Sequence, residues 1–145
     1  MMLEASTAVC AYQRFIVIDD DKINNLVSKF VINRFTKDAQ LNVYTDPEVA
    51  LDFIARLNQD SEDRLNTLVL LDINMPRMNG WEFLEALKAT NFTYPAHFKI
   101  FIISSSIDPA DIKRAEEHDM VSGFFSKPLT TDYLSKTCQV VSGKM

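Results

Sequence analysis

Glycine is scarce in this sequence of 145 residues. Gly80, Gly123 and Gly143 are the only three, so no Gly-rich phosphate loop of Walker or dinucleotide type can be written along it. A nucleotide is therefore not the expected ligand. Cysteine is nearly as rare: Cys10 and Cys138 lie towards opposite ends without metal-ligand spacing, and read as reduced thiols of a cytoplasmic protein. Long apolar runs are missing as well. The most apolar stretches, 15–18, 68–71 and 100–103, fall far short of the roughly 20 residues that cross a bilayer, so no membrane span is expected. No export signal is expected, because Glu4 stands where a basic residue belongs and Ser6, Thr7 and Gln13 interrupt any apolar core. Positive charge is in deficit too. Fifteen Lys and Arg against twenty Asp and Glu give a net charge of −5, the wrong sign for direct binding to nucleic acid or to an anionic membrane.

What is present is globular. With 47% hydrophobic and 24% charged residues, a chain of this length forms about one domain with a sufficient core. The three apolar runs lack polar alternation, the mark of strands buried on both faces of a parallel sheet. Segments 41–44 and 123–125 are further strand candidates. Helical spacing lies between them: Ile23, Leu26, Val27, Phe30 and Val31; then Ala50, Phe53, Ile54 and Leu57; then Phe83, Leu84 and Leu87; and finally Tyr133, Leu134, Cys138 and Val141. Asp46 before Pro47 and Asp108 before Pro109 read as helix starts, an N-cap acid followed by a proline whose missing N–H costs nothing there. Five strands alternate with five helices. Right-handed crossovers then give an α/β fold, a doubly wound parallel sheet of five strands with helices on both faces.

Ligands of such sheets bind at the carboxyl ends of the strands. Asp19, Asp20 and Asp21 follow the first run; Asp72 follows 68–71; Ser104, Ser105 and Ser106 follow 100–103; Lys127 follows the last strand. Taken singly, each has an ordinary reading as a turn residue, a helix cap or a solvated lysine. Their convergence on one rim points to chemistry. Carboxylates from adjacent strands repel unless a cation lies among them, and hard oxygen ligands favour Mg²⁺.

Four motifs carry a resemblance: Val17-Ile18-Asp19-Asp20-Asp21, the run from Leu71-Asp72 through Asn74-Met75-Pro76 to Asn79-Gly80, then Ile103-Ser104-Ser105, then Phe125-Ser126-Lys127-Pro128. Over nearly its whole length the chain resembles a stand-alone response-regulator receiver domain of two-component signalling. The resemblance implies a flavodoxin-like (βα)5 fold with strand order 2-1-3-4-5. It implies that Asp72 accepts a phosphoryl group from a histidine kinase or histidine phosphotransfer protein. Asp20, Asp72 and the backbone carbonyl of Asn74 would bind Mg²⁺, with Asp19 holding a metal-bound water. Lys127 would neutralise the phosphoryl charge, Pro128 would be the cis proline that turns Lys127 inward, and Phe124 would be the switch aromatic. Ser105 aligns as the switch hydroxyl, with Ser104 as the fallback.

Two positions depart from the usual pattern. Met120 stands where a small residue is common, and Asn79-Gly80 replaces Asp-Gly, both being pairs that tolerate positive φ. Asn74 and Ile107 lie where relatives tune water access to the acyl phosphate.

One helix and the short tail 142–145 follow Lys127, so a single receiver domain over 1–145, with a core of about 12–140 and no output domain, is expected. Its product is then a conformational change read by a downstream protein on the face of the fourth helix, fifth strand and fifth helix. Two other readings compete with this signalling switch. One is a Mg²⁺-dependent phosphohydrolase of haloacid dehalogenase type, which needs a second acid where Asn74 stands. The other is an interaction module that works without phosphorylation.

Overall fold

The computed structural model describes residues 12–138. Cys10, Val141 and both tails lie outside them. Five strands, β1 (Arg14–Ile18), β2 (Gln40–Tyr44), β3 (Thr67–Leu71), β4 (Phe98–Ser104) and β5 (Gly123–Ser126), alternate with five helices. The helices are α1 (Lys22–Phe35), α2 (Pro47–Gln59), α3 (Gly80–Ala89), α4 (Pro109–Glu117) and α5 (Thr131–Thr137). All four strand pairings are parallel, in the order β2-β1-β3-β4-β5. The doubly wound fold and its strand order are as expected.

β1 and β3 are buried along their full length, because each is covered on both faces. Ile32 of α1 and Leu134 of α5 pack on one side, while Ala50, Ile54, Phe83, Leu84, Leu87 and Ala115 of α2, α3 and α4 pack on the other. The expected caps form: Asp46 accepts from Glu48 N at 2.9 Å and Asp108 from Ala110 N at 2.9 Å. Met120 is buried between α4 and β5, filling space that a smaller residue would leave empty.

Two expectations are corrected. Of the apolar residues expected on the inward face of α1, Val31 packs partly buried against the core, but the other four do not face it. Asn25 and Ile32 are its buried residues, while Ile23 is 70% and Phe30 64% exposed, with Leu26 and Val27 also exposed. The helix is rotated because the Asn25 side chain donates to the Asp19 carbonyl at 2.8 Å, and that buried polar contact sets which face turns inward. Phe30→Ala is therefore expected to change unfolding free energy by no more than about 0.5 kcal/mol, checked by urea denaturation.

Asn79-Gly80 is likewise not a positive-φ turn. Asn79 is the N-cap of α3 at φ −76, in a capping box with Glu82, and Gly80 is the first helical residue. Glycine is required there by a close approach: a Cβ would lie 2.8 Å from the Asp72 carbonyl oxygen and 2.8 Å from Ile73 Cα.

Candidate functional site

Register builds the site. Ile18 of β1 pairs with Leu71 of β3, so the next residues, Asp19 and Asp72, emerge level on adjacent central strands. Their backbones extend the ladder, Asp72 N donating to Ile18 O at 2.9 Å and Asp19 N to Tyr44 O at 3.1 Å. Ser104 closes β4 opposite Ser126, and Lys127 follows, its N–H donating to Ser104 O at 2.8 Å. The Lys127–Pro128 peptide bond is cis.

The Lys127 ammonium lies 2.6 Å from Asp19 Oδ2 and 3.5 Å from Asp72 Oδ2, with all three side chains largely buried. Asp19 Oδ1 accepts from Asp21 N at 2.9 Å, and Asp72 Oδ1 from Asn74 N at 3.2 Å. Asp20 is exposed and completes a group in which carboxylate oxygens of Asp19, Asp20 and Asp72 lie within 4.8 Å of one another. The third acid of the run stands apart from this group, since Asp21 caps α1 and accepts from Ile23 N and Asn24 N.

Electrostatics at this rim are unbalanced. Burial raises the Asp72 carboxyl from 3.8 to about 6; the Asp19 charge adds to the rise, while Lys127 and the Asn74 N–H oppose it. One ammonium does not compensate two buried carboxylates. A hard divalent cation would supply the missing charge, and an all-oxygen donor set with one exposed carboxylate fits Mg²⁺, which keeps several waters. The residues present therefore fit that metal.

The serines divide unequally. Ser104 is fully buried, and its hydroxyl accepts from Asn74 Nδ2 and from Ser106 N, each at 3.3 Å. Ser105 is exposed. Asn74 itself is exposed, at the mouth between Asp72 and Ser104. Phe124 is half-buried on the layer of α2, α3 and α4, whereas Phe125 points to the opposite layer and stacks on Phe101 and Tyr133. Asn25 is a site residue that sequence patterning missed. The available signal was a polar residue seven positions before Ile32, on one helical face with it.

Residues 15–139 match the sequence profile of the Response regulator receiver domain. A solved two-component response regulator from Cytophaga hutchinsonii is similar, at 28% identity and a TM-score of 0.75 over 87% of this chain and 96% of that one. A receiver protein from Dyadobacter fermentans DSM 18053 gives 25% identity and a TM-score of 0.74 over 87% and 94%. Among curated proteins, the probable methanogenesis regulatory protein FilR2 of Methanothrix harundinacea is 23% identical over 96% of this chain and 88% of its own length. Two-component response regulator ORR1 of Oryza sativa subsp. japonica is 25% identical over 80% of the chain, which spans about half (49%) of that relative.

Proposed function

Because the chain belongs to the response regulator receiver domain family of two-component signalling, we propose that it is a switch whose Asp72 accepts a phosphoryl group from a histidine kinase or histidine phosphotransfer protein. The supporting observation is Asp72 buried beside Asp19, with Lys127 bridging the two. A carboxylate oxygen of Asp72 bonds to phosphorus as the phosphorus–nitrogen bond of the donor imidazole breaks and its electron pair returns to the ring. Asp20, Asp72, the Asn74 carbonyl and, through water, Asp19 would hold Mg²⁺, which neutralises charge on the transferring oxygens. Lys127 places a second positive charge on the same oxygens. The N–H of Asn74 fixes the rotamer of Asp72, and Asn25 fixes the backbone of Asp19.

Two faces serve partners on this reading. The exposed stripe of α1, with Lys22, Lys29 and Arg34 and no acid, fits an apolar donor surface rimmed by carboxylates. The face of α4, β5 and α5 would present the changed conformation to a downstream protein.

The test is incubation with Mg²⁺ and a small acyl phosphate, followed by intact-mass measurement. Gain of one phosphoryl group that is lost on chelation, and absent from Asp72→Asn, supports the switch. Unmodified protein throughout, or label persisting in Asp72→Asn, overturns it. The hydroxyl that meets the phosphoryl group is separable in the same assay. Ser104→Ala is expected to slow uptake several-fold more than Ser105→Ala, because Ser104 is the buried one facing Asn74. The reverse order of rates would return that role to Ser105.

A further inference from the structure

α4 is weakly held by apolar packing. Ala115 is its one buried residue, and residues 105–108, which join it to β4, are exposed throughout. What ties it to α3 is the ring of Trp81, itself buried in the first turn of α3. The indole Nε1–H donates to Asp111 Oδ1 at 3.2 Å, and the Arg114 guanidinium lies 4.7 Å over the ring. The His118 ring, at the end of α4, is 6.1 Å from the indole, and its Nε2 is 3.6 Å from Glu85 Oε2 of α3. Trp81 and Asp111 also line one open groove with Asn74, whose side chain reaches Ser104 at the far end of the exposed connection.

We propose that Trp81 is a latch holding α4 against α3, and that it opens when Asp72 is phosphorylated. The opening step rests on the phospho-acceptor reading; the latch itself does not. A phosphoryl group on Asp72 brings acceptor oxygens for which the Ser104 hydroxyl and the Asn74 amide are donors. Ser104 Oγ now accepts from Ser106 N. Turning that hydroxyl inward releases Ser106 and lets the connection move, and α4 is the element it pulls. With a single buried residue, α4 gives way where the Trp81 contacts break, which makes the helix pair a two-state element.

Trp81 is the chain's single tryptophan, so its emission reports the latch directly. The experiment follows intact mass, tryptophan emission and amide hydrogen exchange of residues 109–117 in one sample, with and without Mg²⁺ and a small acyl phosphate. Expected are an emission change and a several-fold rise in α4 exchange that track the mass gain and are absent in Asp72→Asn. Unmodified Trp81→Phe, which keeps an aromatic ring but loses the indole N–H, should already show the fast exchange. So should Asp111→Ala, which leaves the core untouched. Mass gain with unchanged emission and exchange overturns the opening step, as does slow α4 exchange in both unmodified variants for the latch. If no mass is gained, the phospho-acceptor reading and the opening step fail together, and exchange in the two variants still decides whether Trp81 holds α4.

Discussion

Asp72→Asn is expected to abolish phosphoryl uptake and, in metal-free protein at pH 7, to raise stability by about 2–3 kcal/mol. The two effects have one cause. Asp72 is raised from 3.8 to about 6, chiefly by burial, so its charged form at neutral pH is held against a folding penalty. The folded protein binds this proton more tightly than the unfolded chain does. The contribution of the group therefore favours folding most below about pH 3.8 and is lost as pH rises through about 6. An amide removes the charge, keeps the shape, and still offers an oxygen to the Asn74 N–H. Urea unfolding in chelator should show the gain at pH 7, its shrinkage towards pH 4 as wild-type Asp72 protonates in the folded state, and its loss below about pH 3.8, where the unfolded chain protonates as well. A variant less stable than wild type at pH 7 would mean that Lys127, 3.5 Å away, already compensates the charge. Mg²⁺ should stabilise wild type and leave the variant nearly unmoved, since metal binding to the folded state adds stability and needs the deprotonated carboxylate. For the same reason the affinity of wild type for Mg²⁺ should weaken below about pH 6.

The strands that carry the site were legible because burial on both faces leaves no polar residue in them, as in β1 and β3. Position after the strand was legible for the same reason: once those runs end, the next side chains are at the rim. Which acid does what was less legible. Asp19, Asp20 and Asp21 are adjacent and chemically alike, and only the start of α1 at Lys22 makes Asp21 a cap, while side-chain alternation makes Asp19 buried and Asp20 exposed. The inward face of α1 was misread because Ile23, Leu26, Val27 and Phe30 have the spacing of a core stripe, and periodicity does not report a buried contact such as Asn25 on the Asp19 carbonyl. Ser104 and Ser105 differ by one position, and one position at a strand end exchanges buried for exposed. Lys127 meets Asp19 across 108 positions of sequence, a contact that follows from the strand order rather than from any local pattern.

Gly80→Ala should be damaging although it adds a single methyl, costing about 1–3 kcal/mol and slowing phosphoryl uptake at Asp72. The added methyl would sit 2.8 Å from the Asp72 carbonyl oxygen, Ile73 Cα and Ile73 Cγ2, and the first two are main-chain atoms that no rotamer change can remove. Either α3 retreats or the Asp72–Ile73 backbone moves. Retreat of α3 breaks the Gly80 N–H bond to Ile73 O, now 3.1 Å, and disturbs the packing of Phe83 and Leu84. Backbone movement displaces the N–H of Asn74 that holds Asp72 Oδ1. Alanine recovers something, being a better helix residue than glycine by up to about 1 kcal/mol, and no left-handed φ is lost, so the clash alone decides the sign. Denaturant midpoints read the stability cost, and uptake rates normalised to folded protein read the displacement of Asp72. Loss of stability with uptake unchanged would mean that α3 yields; wild-type values for both would mean that the contact between α3 and the acceptor loop is softer than the 2.8 Å approach implies.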